Sequence, residues 1–360
     1  MERFTCKTRI ISGAGAIQEL KNMGIKNVLL VSDPFFAENG TAGRIAALTG
    51  TKKAEIFHKV VPDPTVELAA EGTALVKQLQ PDTVVALGGG SAMDCAKAMI
   101  YFSGYKPKLV AIPTTSGSGS EVTDFSILTH GGVKHPLVDE KLQPDVAILD
   151  SELLQTLPPA LVADAGFDVL AHALEAFVAT GAGVITDALA KEAFAIVYSA
   201  LPASFVGNIS VRQKIHTAAT MAGLAFNQAG LGLSHAMAHA LGGVFHLPHG
   251  RLNAILLPAV IDCNAHAAGA KYAHLARSAG LGGSADTIAV RNLKNALIRL
   301  RRELKLPQTL QEAGVDPRQI WYKSKDIVSA VLSDPCCATN PLPVEDFMVR
   351  RVLEEITGRM

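Results

Sequence analysis

The strongest constraint on this chain is a rhythm. Short runs of aliphatic and β-branched residues alternate with stretches of helical spacing: NVLLVSD at 27–33, a helix near 39–50, AEIFHKV at 54–60, a helix near 65–80, and TVVALG at 83–88. KLVAIPTT at 108–115 and DVAILD at 145–150 continue the series. Strands joined by helices run parallel, and strands apolar on both faces are covered on both faces, so the pattern predicts a doubly wound, Rossmann-like parallel sheet. FSILTHGGVKHPLV, residues 125–138, breaks the rhythm as a hairpin turning through Gly131 and Gly132. After LPPA at 157–160 the alternation stops, and alanine- and leucine-rich segments of helical spacing run almost to the C-terminus with no strand among them. The expected organisation is an α/β domain over 1–157 and an all-helical domain over 158–360, packed closely with a cleft between them.

Composition narrows the classes of partner. With 49% hydrophobic and 18% charged residues, 360 residues are enough for two large cores. Lysine plus arginine and aspartate plus glutamate number 33 each, and no basic run stands out, which argues against nucleic acid or anionic lipid and for a small-molecule partner. The cysteines Cys6, Cys95, Cys263, Cys336 and Cys337 have no CxxC spacing, which fits a reducing compartment. The start has no apolar signal region, and apolar runs such as the one ending at Ile261 are too short to span a bilayer. The expectation is a cytoplasmic protein with no membrane contact.

Two loops carry candidate phosphate-binding chemistry. In TVVALGGGSAMDCAKAM a buried strand runs through three glycines into a helix, with Ser91 as expected N-cap and Asp94 three residues on. Backbone N–H groups at such a turn can approach a phosphate closely, although an ordinary capped strand-to-helix turn uses the same residues. PTTSGSGSE at 113–121 also follows a strand and is lined with small hydroxyl residues, able to bond phosphate or ribose or simply to form a surface turn. Asp33, at the end of the first predicted strand, is placed to bind ribose hydroxyls and repel an extra phosphate, or to begin a turn before Pro34. No G-x-G-x-x-G precedes it, so the arrangement departs from the usual dinucleotide fingerprint.

The helical half carries a donor cluster. Asp168 and His172 are four apart, which puts carboxylate and imidazole on one helix face. His235 and His239 repeat that spacing, and His246 and His249 follow where a helix is expected to end before Pro248 and Gly250. Four of the eleven histidines thus fall within fifteen residues of apolar chain, where uncompensated polar groups are costly. Nitrogen and oxygen donors without thiolate suit Fe(II), Zn(II), Co(II) or Mn(II), and spacing alone does not say which histidine stays unligated. Cys263 sits among apolar residues and reads as structural.

Four blocks, GGGSAMDCAKA, PTTSGSGSEVT, DAGFDVLAHALEAF and GLSHAMAHALGGVFHLPHG, together with TNPLPVEDF near the end, resemble the iron-dependent (group III) alcohol dehydrogenases in order and spacing over nearly the whole chain. Within that family the chain is most similar to 1-propanol dehydrogenases of propanediol-utilisation microcompartments. The resemblance implies a dehydroquinate synthase-like architecture, with NAD(H) on the sheet domain and Fe(II), or Zn(II) in its place, in the helical domain. It implies Asp168, His172, His235 and His249 as metal ligands and His239 as a catalytic residue beside nicotinamide and substrate. It sets Asp33, Gly89, Gly90, Ser91, Asp94, Thr114, Thr115, Ser118, Thr123 and Lys134 along the dinucleotide. A homodimer and microcompartment partners are implied on the same ground alone.

Two positions depart from the family pattern. Ser118 stands where many members have threonine, a mild change. Phe125 stands where some relatives acting on polar substrates have asparagine, which points to a pocket for short apolar aldehydes or to simple packing against a loop. A lyase of the dehydroquinate synthase type would need basic residues around the metal for a carboxylated, phosphorylated substrate, and only Arg251 is close in sequence. A non-catalytic dinucleotide-binding protein would have no use for a full ligand set with His239 beside it.

Overall fold

The computed structural model describes residues 3–131 and 133–358. Its strands are β1 (Arg9–Ser12), β2 (Val28–Ser32), β3 (Ala54–Phe57), β4 (Thr83–Gly88), β5 (Lys108–Pro113), β6 (Phe125–His130), β7 (Val133–Val138) and β8 (Val146–Leu149). The helices of the first half are α1 (Pro34–Glu38), α2 (Thr41–Leu48), α3 (Val66–Leu79) and α4 (Gly90–Ser103). Those of the second are α5 (Pro159–Val178), α6 (Val184–Phe205), α7 (Arg212–Ala229), α8 (Leu233–Phe245), α9 (His249–Ser278), α10 (Asp286–Glu303), α11 (Pro317–Ser333) and α12 (Asp346–Thr357). Thr5–Leu157 form one compact unit, and a second is built from Pro158 onward.

In the first unit six strands lie in the order β1-β8-β5-β4-β2-β3, all parallel. Alternate residues of β2 serve opposite layers: Val28 and Leu30 pack with Ile45 of α2, while Leu29 and Val31 pack with Val76 of α3 and Met93 and Met99 of α4. That double covering is why β2, β4 and β8 read as unbroken apolar runs. Strand order reverses at β2, whose neighbours are β3 on one side and β4 on the other. At such a reversal the connections leave in opposite directions and open a crevice at the carboxyl ends of the strands. Asp33 follows β2, the glycine turn follows β4 and Thr114 follows β5, so the three candidate nucleotide segments share one end of one sheet.

Several local expectations need correction. The edge strand β1 was not anticipated, because RIIS is mostly exposed and lacks the apolar signature of its neighbours. Gly89, not Ser91, is the N-cap of α4, and no side chain caps it. Ser91 is the second helical residue, and Asp94 lies one turn in, so the predicted capping box does not form. β6 and β7 do form an antiparallel hairpin through Gly131, while Gly132 lies outside the described residues. The helix before Pro248 does end as expected, α8 closing at Phe245 with His246 as its C-cap, but a new helix starts at once: Pro248 caps α9, and His249 and Gly250 are its first residues.

In the second unit α5 is buried almost all round, from Val162 to Val178, with α6, α7 and α9 packed about it. Gly250 lets the start of α9 approach α5 very closely. A Cβ there would collide with the Asp164 carbonyl oxygen and lie 3.2 Å from the Asp168 Cβ. Further along α9, Pro258 has no N–H to give the Ala254 carbonyl. Arg301 of α10 supplies the donor, its Nη1 bonding the carbonyls of Ala254 at 2.9 Å and Ile255 at 3.1 Å. Arg301→Met keeps the bulk but leaves the buried Ala254 carbonyl, which Pro258 cannot serve, without a donor. Chemical denaturation should show about 2 kcal/mol lower stability, and an unchanged midpoint would show that Arg301 does not brace the helix.

Candidate metal centre and nucleotide loops

The metal candidates come from three helices of the second unit. Asp168 and His172 lie on successive turns of α5, His235 on the first turn of α8, and His249 begins α9. The α8–α9 turn passes through His246 in the left-handed conformation (φ 55°), which histidine tolerates better than most residues. This tight reversal brings the His235 and His249 rings to 5.3 Å between centroids. Ligand atoms of Asp168, His235 and His249 all lie within 4.8 Å of one another. His172 stands outside that trio, stacked between Phe226 at 4.4 Å and His235 at 4.5 Å.

Glu175, on α5 one turn past His172, organises the centre. Its carboxylate accepts from His235 Nδ1 at 2.6 Å and from the backbone N–H groups of Gly232 (2.9 Å), Ser234 (2.6 Å) and His235 (3.4 Å). One carboxylate therefore caps α8 and fixes the tautomer of its histidine, leaving the His235 Nε2 lone pair free to face Asp168. Asn253, one turn into α9, is the second organiser. Its Nδ2 lies 2.9 Å from Asp168 Oδ1, 3.4 Å from His235 Nε2 and 3.3 Å from His249 Nε2. Three acceptors converging on a single donor is the geometry a cation requires, so the residues fit a metal ion held by oxygen and nitrogen.

Electrostatics agree with that fit. Burial pushes the Asp168 carboxyl up, but His172, His249 and His235 outweigh it and hold the group below its ordinary value. Burial and the neighbouring imidazoles keep His249 well below the usual histidine range, so its ring is neutral and its lone pair available at neutral pH. Burial lowers His235, yet the hydrogen bond and charge of Glu175 raise it above the ordinary value.

His239, one turn beyond His235, stacks on His249 at 5.2 Å. Its Nδ1 is 2.9 Å from Asp334 Oδ2. Asp334 ends α11 and also accepts from Cys336 N at 2.8 Å. Burial raises the Asp334 carboxyl, and the bonds and charge of His239 and Cys336 N bring it below the usual range.

In the first unit the two loops touch. A Cβ on Gly89 would come within 3.3 Å of Thr115 Oγ1, and one on Gly90 within 3.2 Å of Ser118. Thr114 N bonds the Gly88 carbonyl at 2.9 Å. The glycines therefore form a narrow floor that any side chain would fill, which fits close approach by a phosphate. The Asp33 Oδ1 accepts from Phe36 N at 3.2 Å, capping α1, and its Oδ2 is 3.7 Å from where a Gly88 Cβ would stand.

Lys97, fully buried on α4, ties the adjoining segment down, with Nζ bonded to Thr123 O (2.9 Å), Thr123 Oγ1 (3.1 Å) and Phe125 O (2.8 Å). Thr123 is buried beneath it, and the Phe125 ring lies 5.9 Å from the ammonium. Burial raises the Asp94 carboxyl and lowers Lys97. Lys134 on β7 pairs with Asp63 at 2.7 Å.

Sequence reasoning missed Glu175, Asn253, Asp334 and Lys97. Two had a signal: Glu175 is seven residues from Asp168 and Asn253 four from His249, both on the ligand face of their helices. Asp334 is 95 residues from His239 and had none.

A buried carboxylate–imidazole centre and a parallel sheet with a glycine floor are the features expected of a metal-dependent, nucleotide-using class of enzyme. Comparison with known proteins narrows this. Residues 7–151 match the iron-containing alcohol dehydrogenase model, and residues 162–357 match that of the Fe-containing alcohol dehydrogenase family, C-terminal. The chain belongs to the iron-containing alcohol dehydrogenase family and is an oxidoreductase. It is 41% identical to the 1-propanol dehydrogenase PduQ of Citrobacter freundii, covering 99% of this chain and 100% of that one. It is 37% identical to an NADPH-dependent butanol dehydrogenase of Clostridium saccharobutylicum, covering 98% and 97%. Among solved structures, the iron-containing alcohol dehydrogenase of Thermococcus thioreducens is similar with a TM-score of 0.92 at 33% identity, covering 99% and 100%.

Glu175→Gln preserves size and an acceptor but removes the charge that orients His235. Metal affinity, measured by competition with a chelator, should fall about 10–100-fold while the circular dichroism spectrum is retained. Unchanged affinity would show that Glu175 serves only as a helix cap.

Proposed function

We propose that this enzyme interconverts a short-chain aldehyde such as propanal and its primary alcohol, using NAD(H), with Asp168, His172, His235 and His249 holding Fe(II). The convergence of Asp168, His235 and His249 on one point is the observation that carries the reading. His172, which stands beside the trio, completes the set by a small ring movement. Zn(II) fits the same donors. A bound metal supplies Lewis acidity toward the carbonyl oxygen, and the dihydronicotinamide supplies hydride.

The chain's own residues do the rest. Glu175 and Asn253 aim the ligands. His239, with Nδ1 engaged by Asp334, exchanges a proton with the alcohol oxygen through Nε2. Gly89, Gly90 and Ser91 receive the pyrophosphate at the α4 N-terminus, with Thr114, Thr115 and Ser118 beside it. Asp94, Thr123 and Lys134 border the remainder of the dinucleotide, and Phe125, apolar where an asparagine would hydrogen-bond, favours unsubstituted aldehydes over hydroxylated ones.

Protein loaded anaerobically with Fe(II) should consume NADH with propanal, and chelation should abolish turnover. His172→Ala or His249→Ala should lose both metal and at least about a hundredfold in activity. A metal-free variant with full activity would overturn the assignment.

Asp33 sets the preference for NADH over NADPH, because its carboxylate would face the extra phosphate of the latter. Asp33→Gly should shift the ratio of kcat/KM values toward NADPH by about tenfold or more. An unchanged ratio would remove Asp33 from the ribose site.

A further inference from the structure

We propose that His239 Nδ1, the Asp334 carboxylate and the Cys336 thiolate form a second metal site, distinct from the Asp168, His235 and His249 trio, that takes a thiophilic divalent cation and thereby inhibits the enzyme. The donor atoms of these three residues lie within 4.8 Å of one another. They come from α8, from the C-cap of α11 and from the turn at Pro335–Thr339 that follows it. The turn is held in place: Asp334 Oδ1 accepts from Cys336 N at 2.8 Å while Oδ2 faces His239 Nδ1 at 2.9 Å. All three residues are half-buried, so a cation can enter from solvent and still shed most of its water. Cys337 is not part of the set, its Sγ being turned to the Val331 carbonyl at 3.1 Å.

Chemistry selects the ligand. The first centre offers only oxygen and nitrogen, whereas a thiolate in the second favours zinc or cadmium over iron, manganese or magnesium. In the resting pair His239 Nδ1 carries the proton it donates to Asp334. A cation bound there takes the Nδ1 lone pair, so the ring proton moves to Nε2, and Cys336 gives its thiol proton to solvent. One proton is released per cation, and no oxidant or reductant is needed. A ring protonated at Nε2 and metallated at Nδ1 cannot accept a proton from the alcohol. The inhibition rests on the part given to His239 under the proposed function; the binding does not.

The test titrates iron-loaded enzyme with cadmium chloride, following the ultraviolet thiolate-to-cadmium absorption and NADH consumption together. The absorption should saturate at one cadmium per chain, with iron retained and activity lost in parallel. Cys336→Ala should abolish the absorption and raise the inhibitory concentration by about tenfold or more, and Cys337→Ala should do neither. Absence of the absorption, its loss in Cys337→Ala instead, or iron released one for one would overturn the site. Saturating absorption with full activity would leave the site standing and overturn the inhibition, and with it the proton-transfer part of His239.

Discussion

Glu175 is a buried carboxylate with no lysine or arginine paired to it among the described residues. Its charge is met by the N-terminus of α8: three backbone N–H groups and the Nδ1 of His235 all point at its two oxygens. Burying such a group is costly unless every lone pair is used, and here the helix dipole and the imidazole share the task. Because those donors are fixed to α8, the carboxylate on α5 sets where α8 begins. That in turn sets the direction of His235 Nε2 and, one turn later, the position of His239. The metal centre thus follows from the way two helices solve an electrostatic problem, with Gly250 bringing the third helix near enough to add His249 and Asn253.

A division of labour runs through the imidazoles. His235 and His239 sit on the same face of α8, and each has Nδ1 against a carboxylate, Glu175 and Asp334 respectively. The difference lies in depth: His235 is 1% exposed, His239 22%. Depth suits one ring to the proposed metal centre and leaves the other more open to solvent. His249, with its charge suppressed by burial, is the neutral ring between them in the proposed ligand set.

Much of this was legible in the sequence where periodicity or spacing carries the information. The parallel sheet announced itself through strands apolar on both faces, and the start of the helical half through the loss of alternation after LPPA. The i, i+4 spacing placed Asp168 with His172 and His235 with His239, but it could not order ligands across helices, because spacing says nothing about which helices meet. The edge strand β1 lacked the apolar pattern that betrays its neighbours. The Ser91 cap failed because a glycine N-cap leaves the floor of the loop open where a side chain would fill it. Asp334 was invisible, since its partner is far away in sequence and the turn that carries it has no periodic signal.

The proposed function stands on a metal centre of oxygen and nitrogen donors built on α5, α8 and α9. X-ray absorption at the iron edge of anaerobically prepared enzyme tests it most directly. One iron per chain should sit in a shell of oxygen and imidazole nitrogen at about 2.0–2.2 Å, with the outer-shell scattering of three imidazoles and no sulfur. A sulfur shell at about 2.3 Å, or the absence of stoichiometric metal, would contradict it.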